Sequence, residues 1–174
     1  MKTVSDYVRT IPDFPEPGVM FRDITTILQD ADGLQLAING LRKELDGVDY
    51  HVVAGAESRG FIFGVPVAYA DHKAFVPIRK KGKLPAEVIS QRYALEYGEA
   101  EIEIHKDAIK PGQRVVLIDD LIATGGTMEA MIRLVERLGG VVVKILFVLE
   151  LKGLGGRARL KGYPVASLVS YEGK

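Results

Sequence analysis

The stretch Arg114-Val115-Val116-Leu117-Ile118-Asp119-Asp120-Leu121-Ile122-Ala123-Thr124-Gly125-Gly126-Thr127 constrains the fold more than any other part of the chain. An apolar run of strand character ends in two adjacent acids. A loop of small residues follows. From about residue 126 the residues Met128, Met131, Ile132, Val135 and Leu138 recur at helical spacing, so a helix with one apolar face is predicted to about residue 138. Residues 141–149 are again almost wholly apolar and read as a long buried strand.

The same alternation runs through the rest of the chain. Asp32 is placed to cap a helix reaching about residue 45, with Leu34, Ala37, Ile38, Leu41 and Leu45 on one side. Residues 51–56 read as a short strand, 60–69 as a second helix and 74–78 as another strand, whose Pro77 suggests a sheet edge or a strand end. Residues 80–91 are polar and aperiodic, which predicts a mobile loop. Residues 101–105 alternate as a half-exposed strand should. Pro111-Gly112 makes a turn, and residues 164–169 supply a last strand. Strands alternating with helices predict a single α/β domain over residues 1–174, with a mainly parallel sheet flanked by helices. Ligands of such sheets bind beyond the carboxyl ends of the strands, so the loops after Ala56 and Asp120 should face one crevice.

Composition removes several functions. The chain has 23 basic and 23 acidic side chains, so no basic excess points to nucleic acid or to a membrane surface. It has no cysteine, which excludes disulfides, thiolate catalysis and cysteine-type zinc sites. Its three histidines show no HExxH spacing. The start, Met1-Lys2-Thr3-Val4-Ser5-Asp6, lacks an apolar signal core, and no run approaches the roughly 20 apolar residues of a membrane span. A soluble, cytoplasmic protein is expected. No GxxxxGK[ST] loop is present, so an ATPase reading loses its main support. Gly153-Leu154-Gly155-Gly156-Arg157-Ala158 matches the GxGxxA of a dinucleotide turn, but too little chain follows for a further βαβ unit. It reads as a glycine-rich turn into a short helix.

The acidic strand end and its loop suit a ribose 5-phosphate. Unpaired N–H groups at a helix start bind phosphate at the positive end of the helix dipole, and glycines let the backbone approach the anion. Carboxylates accept hydrogen bonds from vicinal sugar hydroxyls. The pattern resembles the phosphoribosyl pyrophosphate (PRPP) motif of the type I phosphoribosyltransferases. The resemblance implies that fold, with an amino-terminal hood arm over residues 1–30 and a flexible catalytic loop over 80–97. It also implies that Ala123, Thr124, Gly125, Gly126 and Thr127 hold the 5′-phosphate while Asp119 and Asp120 face the ribose. Which acid touches the hydroxyls directly is open, because successive strand residues point to opposite faces.

Three further segments fit the same family. Ala56-Glu57-Ser58-Arg59-Gly60, after a strand and opening a helix, resembles its pyrophosphate loop, which often holds a cis non-proline peptide, here at Glu57-Ser58. Glu57, Ser58 and Arg59, with Arg79, Lys80 and Lys83 of the basic run 79–83, are the candidate pyrophosphate ligands. The arm, residues 11–24, together with Lys83-Leu84-Pro85 and Tyr93-Ala94-Leu95-Glu96-Tyr97-Gly98, resembles the adenine-specific branch of the family. That resemblance implies transfer of the phosphoribosyl group of PRPP to adenine with magnesium as cofactor, in a homodimer without nucleic acid or membrane partners. It places Glu96 and Tyr97, with Arg59, at the reacting centre, and Met20, Phe21, Arg22 and Leu121 around adenine. No magnesium site is assigned to protein side chains alone, since this ion prefers substrate phosphate oxygens to an all-protein cage. The PRPP motif by itself also admits a different phosphoribosyltransferase, against which the arm and the YxLEYG segment argue. It admits a PRPP-sensing transcriptional regulator as well, against which the intact lid sequence and zero net charge argue.

Overall fold

The computed structural model describes residues 1–95 and 97–173. The chain opens with a short 3-10 turn and an antiparallel hairpin, β1 (Arg9–Pro12) and β2 (Met20–Asp23), followed by α1 (Thr25–Leu28) and α2 (Ala31–Lys43). Then come β3 (Val52–Ala56), α3 (Arg59–Ala70), β4 (Ala74–Lys80), β5 (Val88–Ala94), β6 (Glu99–His105), β7 (Arg114–Ile122), α4 (Gly126–Arg137), β8 (Val141–Leu151) and β9 (Val165–Tyr171). The large sheet has the order β5-β6-β4-β3-β7-β8-β9; β4, β3, β7, β8 and β9 are parallel, and β5 and β6 form an antiparallel hairpin at one edge.

The motif strand lies in the middle of this sheet and is buried on both faces, which is why it is a continuous apolar run. Its Val115 and Leu117 enter a core shared with Met128, Met131 and Val135 of α4. Its Val116 and Ile118 enter a second core with Leu41 of α2 and Phe63 of α3. The sheet is thus covered by helices on both sides, and the carboxyl ends of β3 and β7, which are paired neighbours, open at the same edge.

The structure departs from the sequence reading at four places. Asp30, not Asp32, caps α2: its carboxylate accepts the N–H groups of Asp32 and Gly33, while Asp32 lies in the first turn. Pro77 is not on an edge strand. It pairs with Gly55 of β3, and β6 meets β4 only at Arg79 and Lys80, so the missing N–H costs no ladder bond on that side. Residues 88–91, expected within a loop, belong to β5, where Ile89 and Tyr93 pack on the first core. Pairing with β6 supplies the order that their weak periodicity did not announce. In β6 itself Ile102, Glu103 and Ile104 are all buried, and the Glu103 carboxylate, on the face expected to meet solvent, accepts the Gly82 N–H at 3.2 Å.

Candidate active site

The crevice lies at the carboxyl end of β7. It is lined by Arg59, Asp119, Asp120, Leu121, Ile122, residues 123–127, Met128 and Phe147. The loop after Asp120 turns into α4 through Gly125, whose φ of +84° is the left-handed value that favours glycine. Gly125 gives the helix no side-chain cap, so first-turn N–H groups remain available as donors at the positive end of a 12-residue helix. The Thr127 hydroxyl points back to the β5–β6 hairpin and donates to the Tyr93 hydroxyl at 3.2 Å.

The two acids are not equivalent. Asp120 is almost fully buried, and its carboxylate is met by Arg59 Nε at 2.8 Å. The Asp119 carboxylate accepts the backbone N–H of Asp120 at 2.8 Å. Burial, then the neighbouring Asp120 charge, pushes the Asp119 carboxyl well above the ordinary aspartate range. Two glycines make this close packing possible. A Cβ on Gly60 would stand 3.2 Å from Asp119 Oδ1, and one on Gly55 would stand 3.0 Å from the Gly60 carbonyl oxygen. The start of α3 therefore rests against β7, and Arg59 is delivered to Asp120.

The Glu57-Ser58 peptide is cis, at the position that the resemblance implied. Glu57, expected among the pyrophosphate ligands, instead uses its carboxylate internally. It accepts the Lys80 N–H at 2.7 Å and lies 3.3 Å from Arg79 Nε. Those partners hold the Glu57 carboxyl below the usual range, the Lys80 N–H contributing most. Arg79 is thereby drawn toward Glu57 and also reaches the Lys83 carbonyl at 3.5 Å. A negative side chain that already accepts a backbone N–H and lies beside a guanidinium suits an anchor for the loop better than a phosphate ligand. Ser58, Arg59, Lys80 and Lys83 remain exposed.

The hairpin of β1 and β2 is fastened at its base by Asp23, which is buried and accepts bonds from Arg9, from Thr25 N–H at 2.9 Å and from the Thr25 hydroxyl at 2.6 Å. Met20 is exposed. Phe21 is half-buried and joins neither core; its ring stands edge-on to Phe14 with centroids 5.1 Å apart. Leu121 is half-buried beside the acids. The Arg22 side chain is already committed: it donates to the Thr10 hydroxyl at 2.6 Å and stacks on the Tyr171 ring at 4.0 Å. Of the catalytic candidates, Tyr97 is 88% exposed at the tip of the β5–β6 hairpin, and Glu96 lies outside the described residues.

Comparison with known proteins agrees with this arrangement. The phosphoribosyl transferase domain family matches residues 22–166. The adenine phosphoribosyltransferase of Agathobacter rectalis is 66% identical over the full length of both chains. The chain belongs to the adenine phosphoribosyltransferase family. The crystal structure of the Thermoanaerobacter pseudethanolicus adenine phosphoribosyltransferase is 50% identical, with a TM-score of 0.93, covering 97% of this chain and 98% of its own. The Saccharomyces cerevisiae enzyme, solved with adenine and an imino-altritol bisphosphate, is 38% identical with a TM-score of 0.90, covering 95% and 96%.

Sequence reasoning on this phosphoribosyltransferase missed the wall behind residues 123–127. The glycine-rich turn at 153–158 leads into a 3-10 helix, Gly156–Leu160, and packs directly on residues 123–125. A Cβ on Gly156 would lie 2.5 Å from the Ala123 carbonyl oxygen, and one on Gly125 would lie 2.7 Å from the Gly156 carbonyl oxygen. The turn is pinned by Arg157, which meets the buried Glu150 carboxylate through Nε at 2.7 Å and a terminal nitrogen at 2.9 Å. Ser167 donates to the same carboxylate at 2.7 Å. The adjacent glycines were the available signal, but only their backbone contact with a segment 30 residues earlier gives them a purpose.

Proposed function

We propose that this crevice transfers the 5-phosphoribosyl group of PRPP to adenine, giving AMP and pyrophosphate. The observation that carries the reading is the convergence in one cleft of an uncapped helix start, two acids and a guanidinium. The amides and hydroxyls of residues 123–127 take the 5′-phosphate, with Thr127 exchanging its Tyr93 partner for a phosphate oxygen. Asp119 and Asp120 face the ribose.

In the reaction, N9 of adenine forms a bond to C1′ as the bond from C1′ to the pyrophosphate oxygen breaks. The proton of the imidazole ring leaves. Positive charge builds on the ribose ring and negative charge on the leaving group, so the site acts by preorganised electrostatics rather than through a covalent nucleophile. Arg59 and the basic run Arg79, Lys80 and Lys83 serve the leaving group, and Ser58 adds a hydroxyl. Glu57 holds that basic run to the pyrophosphate loop. Glu96 relays the adenine proton, and Tyr97 orients the leaving group or the attacking nitrogen. The β5–β6 hairpin closes as a lid to exclude water.

Magnesium fits the donor set. Asp120 is already paired with Arg59, and no cluster of three or more metal-ligating side chains occurs among the described residues. That set would suit an ion held mainly by substrate oxygens, to which Asp119 and Asp120 would offer carboxylates. Bound there, magnesium supplies charge neutralisation of the pyrophosphate.

Adenine is selected under the hood. β2 has a strand partner on one side only, so its outer edge offers backbone C=O and N–H groups near Met20 and Arg22. Adenine places an amino donor beside a ring-nitrogen acceptor; guanine and hypoxanthine present the reverse. An unpaired buried polar group costs about 1–3 kcal/mol, which sets the discrimination. Phe21 and Leu121 enclose the ring. The protein acts in the cytoplasm; no helix among the described residues is long and apolar enough to cross a membrane. A homodimer is inferred from the family resemblance, and Ile62, Val65 and Tyr69 leave an exposed apolar stripe on α3 for a second copy to cover.

The test is pyrophosphate release from PRPP and magnesium with adenine, guanine, hypoxanthine, xanthine and orotate offered separately. Release with adenine alone, yielding AMP, is expected. Release with another base overturns the base assignment. No release with any base, together with tight PRPP binding, replaces the enzyme with a regulator.

A further inference from the structure

We infer that Tyr171, at the far carboxyl end of the chain, is a positioning residue for base recognition, acting through Arg22. The inference rests on the reading of the hood as the adenine site. Arg22 lies in β2, the strand whose outer edge is to read the base, yet its side chain does not line the crevice. Its guanidinium spans to the sheet. One terminal nitrogen donates to Thr10 of β1, the group stacks on the Tyr171 ring, and its Nε is buried without a hydrogen-bond partner. A guanidinium that gives up water at Nε needs compensation, and the face of an aromatic ring supplies it.

Tyr171 is well placed to set the geometry of the hood. It is the last residue of β9, pairs in register with Leu151 of β8 and packs on the second core. β8 and β9 run parallel to β7, so Tyr171 stands at the same end of the sheet as Asp119, Asp120 and the phosphate loop. At its base the hood is fastened by Asp23, which holds Arg9 and Thr25, and by the Thr26 hydroxyl, which accepts the Arg9 N–H. A hairpin held at one end can swing. Arg22 on Tyr171 is a second point of attachment, one residue beyond Asp23, and it fixes the angle at which residues 20–22 meet the crevice. The contact uses the ring face, so phenylalanine should serve as well as tyrosine, whereas an aliphatic side chain of similar bulk should not.

The test compares Tyr171→Leu and Tyr171→Phe with the wild-type chain in steady-state kinetics and in amide hydrogen exchange of residues 9–23. Tyr171→Leu is expected to raise KM for adenine about fivefold or more, as loss of a desolvated cation–π contact implies, and to leave KM for PRPP within about twofold. Tyr171→Phe should match the wild type in both. Exchange of the β2 amides should quicken about fivefold in Tyr171→Leu alone. An adenine KM unmoved in Tyr171→Leu, equal rises in both KM values, or equal losses in the two variants would overturn the inference. Should the wild type turn over no adenine, the reading of the site fails. The exchange measurement then still decides whether Tyr171 holds the hood: unchanged β2 exchange in Tyr171→Leu would refute it.

Discussion

Gly156→Ala tests whether the loop at residues 123–127, proposed to hold the 5′-phosphate, depends on the turn behind it. The added Cβ would stand 2.5 Å from the Ala123 carbonyl oxygen, against an ordinary lower limit of 3.0–3.4 Å, so the backbone must give by about 0.5–0.9 Å. The atoms in the way are the loop backbone and Ile122 Cγ1 at 2.8 Å, not the tip of a flexible side chain. Overpacking of this kind costs about 1–3 kcal/mol, and each kcal/mol lowers Tm by about 2–4 °C for a chain of this length. The kinetic effect should be larger than the thermal one suggests, because about 1 Å of misplacement costs about 100-fold where donors must meet a developing charge. We expect kcat/KM for PRPP to fall about 10- to 100-fold, measured as AMP formation at saturating adenine. Gly155→Ala is the control. Gly155 has a φ of +66° but nothing within 4 Å of a Cβ, so alanine there brings about 1–2 kcal/mol of backbone strain without touching the loop. Its kcat/KM should stay within about twofold of wild type. Equal kinetic losses in the two variants, or none in Gly156→Ala, would refute the reasoning.

Other substitutions separate chemistry from stability. Tyr97→Phe removes a hydroxyl from a side chain 88% exposed, so thermal unfolding should be unchanged within about 0.5 kcal/mol while kcat falls about tenfold or more. An unchanged kcat would remove Tyr97 from the reacting centre. Arg59→Gln deprives the buried Asp120 carboxylate of its ion pair, so it should cost about 1–3 kcal/mol and weaken product inhibition by pyrophosphate. Unaltered inhibition would exclude Arg59 from the leaving-group site. The hood should respond to acid. The Thr25 hydroxyl, with a further contribution from Arg9, lowers the Asp23 carboxyl to about 2 despite its burial. A depressed folded value contributes stability above the unfolded value of about 3.9, and that stability is lost as pH falls from about 4 toward 2. Protection of the amides in residues 9–23, taken relative to their intrinsic exchange rates, should fall over that window in the wild type, whereas Asp23→Asn should show no such fall.

Much of this protein could be read along the chain because its defining features are local. The buried strand 114–122, the small-residue loop and the apolar face of α4 are contiguous, and each follows from periodicity and backbone freedom within a few residues. The junction of β3 with the start of α3 was legible for the same reason. The resemblance of the arm and of the YxLEYG segment added the adenine-specific branch. What sequence could not supply depended on contacts between distant segments. Weak alternation in 88–94 became a strand only through pairing with β6. Glu57, placed among the pyrophosphate ligands by resemblance, and Arg79, placed there by charge, meet each other because β3 and β4 end side by side. Arg22, expected beside the base, places its guanidinium on the ring of a tyrosine 149 positions later. Asp119 and Asp120 are adjacent and identical in type, yet Arg59 selects one and burial raises the other. Charge and polarity are properties of a residue. Which partner a charge finds, and how much water it keeps, is decided only when the sheet brings the ends of its strands together.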